Sequence, residues 1–128
     1  MKFDWGNFTQ DNYNGMLNNS KNDYCGAVHI GDICIEIIAE SGTFINGIIN
    51  REACVMCNFY VAHEDTGYGY KDDVLPYDYA DGFDMEMPYN MSYEEFKSKA
   101  EKLFVDYIES YNGNYSLVEH ANKPLEMW

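Results

Sequence analysis

One amphipathic segment near the end of the chain, residues 93–111, requires a large apolar surface to pack against. Apolar side chains recur in it at the 3.6-residue spacing of an α-helix and form one stripe: Phe96, Ala100, Leu103, Phe104, Tyr107, Ile108 and Tyr111. Ser92 and Glu95 make the capping-box pattern at its start, and Gly113 is placed as a C′ residue beyond its end. Such a helix gains most of its stability by packing its stripe on another element.

A β-hairpin is predicted over residues 24–39, and it supplies such a surface. Gly31-Asp32 separates two strand-like runs, and glycine at the first turn position suits a type II′ turn. In this register His29 and Cys34 are cross-strand neighbours. We expect one face of the second run to meet the core, because it carries three alternate isoleucines: Ile33, Ile35 and Ile37.

The remaining patterns complete an α+β fold in a single domain, residues 1–128. Asn46-Gly47 fits either a second short hairpin over residues 43–50 or a loop. Further elements are a short helix over residues 8–20 with Thr9 as N-cap, a central strand over 53–62, a short strand over 83–87 within ordered loop, and an edge strand over 115–119. We expect an antiparallel sheet of about four or five strands, with the short N-terminal helix and the long C-terminal helix packed on one face.

The excess of acidic over basic residues indicates which class of partner the chain can bind. The chain of 128 residues has 22 Asp and Glu against 8 Lys and Arg, which gives a net charge of −14. Such a surface repels nucleic acid and anionic membranes, and it favours a basic protein partner. With 46% hydrophobic residues and 12 tyrosines, the chain is not a disordered acidic tail. We find no secretory signal and no membrane-spanning run, so a cytoplasmic location is expected.

An acidic, aromatic-rich segment over residues 64–91 is the predicted binding surface. Residues 64–86 hold eight acids and one base, Lys71. We expect partner-binding charge from six acids and anchoring contacts from two tyrosines: Asp72, Asp73, Asp78, Asp81, Asp84, Glu86, Tyr77 and Tyr79. The alternative is a solubilising loop whose tyrosines pack on the sheet. The acids do not make the loop pattern of an EF-hand calcium site.

Four cysteines raise the question of a metal or a nucleophile. Cys54 and Cys57 have zinc-ligand spacing, but on an extended strand they point to opposite faces. We therefore expect Cys25, with the other three thiols, to be free and packed, and we assign no metal or cofactor. His29 and Cys34 make the one nucleophile–base pair that the pairing predicts, and no oxyanion donor accompanies it.

These observations predict a non-enzymatic protein that binds and inhibits a basic protein target. In composition the chain resembles small phage and mobile-element proteins that block host defence, such as anti-CRISPR and anti-restriction DNA mimics. That resemblance implies a nuclease or another nucleic-acid-binding effector as partner. An immunity protein that neutralises a cognate toxin fits equally well. A small Cys/His-dependent enzyme, a zinc-binding protein and a structural or oligomerising role are the further alternatives.

Overall fold

A computed structural model describes residues 1–18, 23–62 and 77–123. In these ranges the chain forms ten elements in the following order: β1 (Asp4–Asn7), α1 (Gln10–Leu17), β2 (Asp23–Ile30), β3 (Ile33–Glu40), β4 (Thr43–Ile45), β5 (Ile48–Arg51), β6 (Cys54–Ala62), β7 (Tyr77–Glu86), α2 (Tyr93–Ser110) and α3 (Leu117–Ala121).

The described strands form an antiparallel sheet in the order β1-β2-β3-β6-β7, and β4 pairs separately with β5. This confirms the predicted α+β class, with its short N-terminal helix and long C-terminal helix. It also confirms that β6 is an interior strand, because β6 pairs with β3 on one side and with β7 on the other.

The β2–β3 hairpin has the predicted register, with His29 opposite Cys34. Gly31 has a φ of +56° and Asp32 has no positive φ, as a type II′ turn requires. One face of the sheet is buried, and its side chains alternate along the strands: Val28, Ile33, Ile35, Ile37, Val55, Cys57, Phe59 and Val61. The three isoleucines therefore meet the core as predicted.

Helix α2 covers this buried face with the predicted stripe. Phe96, Ala100, Phe104 and Ile108 are all buried, and the ring of Phe104 lies 5.9 Å from that of Phe59, centroid to centroid. The Ser92 hydroxyl accepts from the Glu95 amide at 3.1 Å, which confirms the predicted cap. The expected role of Gly113 is wrong, because the chain becomes extended at Tyr111, two residues earlier.

Helix α1 packs beside α2 and is shorter than the predicted range. Tyr13 and Met16 are buried, and the ring centroid of Tyr13 lies 5.0 Å from that of Phe96. The Tyr13 hydroxyl donates to the Met91 carbonyl at 2.6 Å, which ties α1 to the segment that leads into α2. Thr9 is the N-cap, as predicted.

Three elements, β1, β7 and α3, differ from what the sequence led us to expect. β1 was not predicted, and β7 spans ten residues where a short strand within loop was expected. Strand β7 contains a bulge between its pairs with Phe59 and Tyr60, and this bulge interrupts the alternation by which a strand is recognised. Residues 64–76 of the acidic segment lie outside the described ranges.

The predicted edge strand over residues 115–119 is instead the start of α3. Ser116 caps this helix by accepting from the Glu119 amide at 3.3 Å. Leu117 and Ala121, one helical turn apart, are buried in the core, whereas Glu119, which a strand would place on the same face, is exposed. His120 Nδ1 lies 2.8 Å from Asp32 Oδ1, so α3 docks on the β2–β3 turn.

Gly31 allows this docking, so we predict that Gly31→Ala destabilises the fold. Its positive φ disfavours alanine, and an added Cβ would overlap the carbonyl oxygen of His120. We expect the free energy of unfolding, measured by urea denaturation, to fall by about 2 kcal/mol or more. Gly15→Ala is the matched control, because it sits on α1 with open space around it and should raise stability by up to about 1 kcal/mol. Equal effects at the two positions would contradict the docking role.

Candidate protein-binding surface

The face of the sheet that points away from α2 carries a mixture of acidic and apolar side chains. Side chains alternate between the two faces of a strand, so the residues between the buried positions of β3, β6 and β7 point to the side away from α2. We call this the outer face and define it by ten residues: Glu36, Ile38, Glu40, Cys54, Met56, Asn58, Tyr60, Tyr79, Asp84 and Glu86. All ten are half-buried or exposed.

Strand register brings the acids of the outer face close together. Glu40 and Glu86 both pair with Cys54, so they lie two strands apart, which is about 9.6 Å. Asp84 and Glu86 are alternate residues of one strand, about 6.7 Å apart. These separations are close to the Debye length of about 8 Å at physiological salt, so the carboxylates act jointly on an approaching cation.

The strands of the sheet carry acidic side chains and no basic ones. Its five strands, all within the described ranges, contain no Lys or Arg and contain eight acids: Asp4, Asp23, Glu36, Glu40, Asp78, Asp81, Asp84 and Glu86. Helix α2 carries three lysines, at positions 97, 99 and 102, together with five acids, so its net charge is −2. The five strands therefore carry eight negative charges and no positive ones, and four of these acids lie on the outer face: Glu36, Glu40, Asp84 and Glu86.

Two tyrosines, Tyr60 and Tyr79, lie beside the acids of the outer face. The Tyr60 and Tyr79 rings lie 5.3 Å apart between centroids, and Tyr79 is 54% exposed. The Tyr60 hydroxyl donates to Glu36 Oε1 at 3.4 Å, and burial together with this carboxylate raises the pKa of Tyr60. Ile38 and Met56 are cross-strand partners on the same face. The outer face thus offers apolar contact area beside its charge.

The structure divides the acids that the sequence grouped together. Asp84, Glu86 and Tyr79 lie on the outer face. Asp78 and Asp81 pair with the buried-face residues of β6 and point toward the helices. The Tyr115 hydroxyl donates to Asp78 at 3.0 Å, and this bond raises the pKa of Tyr115.

Asp81 has local partners on the helix side of the sheet. It accepts the Gly82 amide at 2.8 Å, and its carboxylate adds to the effect of burial in raising the pKa of Tyr107. Of the other predicted binding residues, Asp72 and Asp73 lie outside the described ranges, and so does the side chain of Tyr77, at the start of β7.

Sequence reasoning did not assign Glu36, Glu40 and Tyr60 to a binding surface. Glu36 and Glu40 belong to the hairpin and Tyr60 to the central strand, so they lie far along the chain from the acidic segment. The signal that unites them is the pairing of β3 with β6 and of β6 with β7. That pairing is a property of the folded sheet and not of any one segment.

The cysteines are spread over both faces of the sheet. Cys57 is buried in the core, where burial and then the nearby Asp84 carboxylate raise its pKa to about 12. Cys54 points outward, with its sulfur 3.7 Å from Glu40 Oε2. The two thiols of this pair therefore lie on opposite faces, as expected, and cannot bind one ion. Among the described residues no group of three or more Cys, His, Asp or Glu side chains could hold a metal.

His29 and Cys34 are cross-strand partners, as the turn predicts. Cys34 is buried and His29 is half-buried. Burial lowers the pKa of His29 below its ordinary value of 6.5, and the Asp4 carboxylate opposes this shift. At neutral pH the imidazole is therefore uncharged, and it leaves the negative field of the sheet undiminished.

Comparison with protein-family models, with curated proteins and with solved structures finds no match to this chain. None of the helices in the described ranges is both long enough and apolar enough to cross a membrane.

The lowered pKa of His29 predicts a pH-dependent loss of stability that this residue controls. The unfolded chain binds the His29 proton more readily than the folded chain, so stability falls as the pH drops through about 6.5. His29→Gln removes the imidazole that takes up this proton, so the loss in unfolding free energy between pH 7.5 and pH 5.5 should be smaller in the variant. Urea denaturation at both pH values measures it. An identical loss in both proteins would show that His29 is not the group responsible.

Proposed function

We propose that this chain is a non-enzymatic inhibitor that binds a basic protein through the outer face of its sheet. The target class we infer is a nuclease or another nucleic-acid-binding effector, blocked at its nucleic-acid groove. The expected setting is cytoplasmic, as for a phage or mobile-element protein directed against host defence. In this role the chain binds neither nucleic acid nor membranes itself.

The observation that carries the proposal is the group of acids on the outer face of a sheet whose strands contain no basic residue. The five strands carry eight acids and no basic residue, whereas α2 carries five acids and three lysines. Four of the strand acids lie together on the outer face: Glu36, Glu40, Asp84 and Glu86. A field of one sign raises the rate of association with a basic partner and disfavours acidic ones. A uniformly distributed charge of −14 would increase solubility without selecting a binding face.

A nucleic-acid groove is the partner surface that this arrangement fits best. Such grooves present Lys and Arg side chains to phosphates at closely spaced positions. The backbone positions of Glu40, Asp84 and Glu86 are fixed on paired strands at separations of about 7–10 Å, so only their side chains become ordered on binding. A preorganised set of carboxylates competes with phosphate for the same cationic side chains.

The aromatic and apolar side chains of the outer face support a specific contact. Tyrosine supplies a large contact area at a small cost in conformational entropy, and Tyr79 is exposed beside the acids. Met56 and Ile38 add apolar area that salt does not screen. The proposed interface therefore has a salt-sensitive part and a salt-resistant part.

The direct test is capture from a nuclease-treated host lysate on the immobilised chain. We expect a basic nucleic-acid-binding protein to be retained at low salt, to elute at high salt and to be displaced by added duplex DNA. The identity of that protein also separates a defence effector from a toxin paired with an immunity protein. Retention that resists both salt and DNA would contradict binding at a nucleic-acid groove.

We predict that neutralising the outer face weakens this binding. The triple variant Glu40→Gln, Asp84→Asn, Glu86→Gln removes three charges and keeps side-chain volume. Close charge pairs couple by about 1.5 kcal/mol or more, so we expect roughly a tenfold or greater loss of affinity, with a shallower dependence on salt. Titration of the captured protein, by calorimetry or interferometry, measures both.

A matched control removes the same number of charges from the helices. The variant Asp11→Asn, Asp106→Asn, Glu109→Gln alters three exposed acids of α1 and α2 and gives the same net charge as the outer-face variant. It should bind nearly as well as the unaltered chain. Equal losses in the two variants would show that net charge matters and the outer face does not.

A further inference from the structure

The β4–β5 hairpin exposes four large apolar side chains. We call residues 43–50 the arm. Phe44, Ile45, Ile48 and Ile49 are exposed by 67%, 58%, 71% and 57% respectively, and every residue of the arm is exposed. Contiguous exposed apolar surface of this kind marks an interaction site in soluble proteins.

The arm is a regular hairpin and not a collapsed loop. Asn46 and Gly47 have φ values of +54° and +78°, which are those of a type I′ turn. Phe44 pairs with Ile49, and Ile45 pairs with Ile48, so one apolar pair lies on each side of the ribbon. A two-stranded ribbon that is apolar on both sides fits a cleft better than a flat surface.

The arm differs in charge from the rest of the molecule. Residues 43–50 carry no charged side chain in a chain of net charge −14. An isolated two-stranded hairpin is only marginally stable in water, and four exposed apolar side chains favour aggregation. The arm therefore gives neither stability nor solubility to the free chain.

The base of the arm adjoins the outer face. β3 ends at Glu40 and β6 begins at Cys54, so the arm leaves the sheet between these two paired residues. Glu86 is the next residue in the same row across the sheet. A protein that contacts Glu40 and Glu86 therefore lies within reach of the arm.

We propose that the arm inserts into an apolar cleft of the basic partner, and that Lys or Arg side chains line the edge of this cleft. The inference rests on the proposed function and names the apolar anchor of the same interface. Glu40 and Glu86 beside the base of the arm match the basic edge, and the uncharged residues 43–50 match the cleft. Arg51, which pairs with Thr43, is the one basic residue between Glu40 and Cys54. A few buried aromatic and aliphatic residues commonly carry most of the affinity of an interface.

A second copy of the chain is the less favourable occupant. Two copies, each of net charge −14, repel each other. The arm offers eight residues, whereas a stable interface uses roughly 20–30 residues on each side. The arm therefore needs the neighbouring acidic surface to complete a contact, and only a basic partner can use both.

Site-specific photo-cross-linking tests the proposal. Phe44 is replaced by the photoreactive analogue benzoylphenylalanine, and the matched control carries the same analogue at Tyr89, which is 62% exposed and lies outside both the arm and the sheet. After irradiation in nuclease-treated lysate, we expect an adduct from position 44 and none from position 89. The adduct should contain the protein whose capture is salt-sensitive, joined through an apolar peptide that is flanked by Lys or Arg.

Several results would overturn the proposal. An adduct of twice the mass of the chain would assign the arm to a second copy, and a link within one chain would assign it to the chain itself. If no adduct forms while the outer-face variant still loses capture, the arm is not an anchor and the proposed function stands. If the unaltered chain captures no salt-sensitive protein, the proposed function fails and the arm proposal fails with it.

A double variant gives an independent measurement. Phe44→Thr with Ile48→Thr keeps β-strand propensity and the Asn46-Gly47 turn, so the hairpin should still form. We expect roughly a tenfold or greater loss of affinity for the captured protein at low salt, where the complex is retained, with an unchanged dependence on salt because the acids are intact. Unchanged circular dichroism and thermal unfolding serve as the folding control. Unchanged affinity would contradict the anchoring role.

Discussion

The alternation of side chains along β3 and β6 is the constraint on which the rest of the structure depends. It places Ile35 and Phe59 in the core beneath Phe104, with Glu36 on the outer face. A shift of one residue would bring Glu36 beneath α2, where an unpaired carboxylate costs several kcal/mol or more. The pattern that builds the core therefore also fixes the acids on the opposite side. Core and proposed binding surface are two consequences of one register.

Local signals were enough to predict the parts of the fold whose partners are near in sequence. The β2–β3 hairpin followed from Gly31, because a tight turn sets the register of both strands. The Asn46-Gly47 turn and the Ser92 cap likewise need only neighbouring residues. The apolar stripe of α2 was predicted from the 3.6-residue spacing of its side chains, which is visible in the sequence whatever the helix packs against. Such features do not depend on knowing what they pack against.

The parts that could not be predicted depend on distant partners. β1 is fixed partly by Trp5, whose ring nitrogen donates to Glu101 at 2.6 Å. β7 tolerates Asp78 on the helix side because Tyr115 donates to it, and α3 docks through the contact of His120 with Asp32. The outer face could not be predicted from the sequence either, because it too depends on residues that are distant along the chain. The acidic segment contributes only part of it, and the remainder comes from strands that meet it in the sheet.

We propose that a basic protein contacts the outer face and not the helices. Carboxyl footprinting tests it most directly: exposed acids are converted to amides with and without the captured protein, and the extent is read by mass spectrometry. The account predicts protection of Glu40, Asp84 and Glu86, with unchanged labelling of Asp106 and Glu109 on α2. Protection of the two helix acids, or equal labelling of all five, would contradict it.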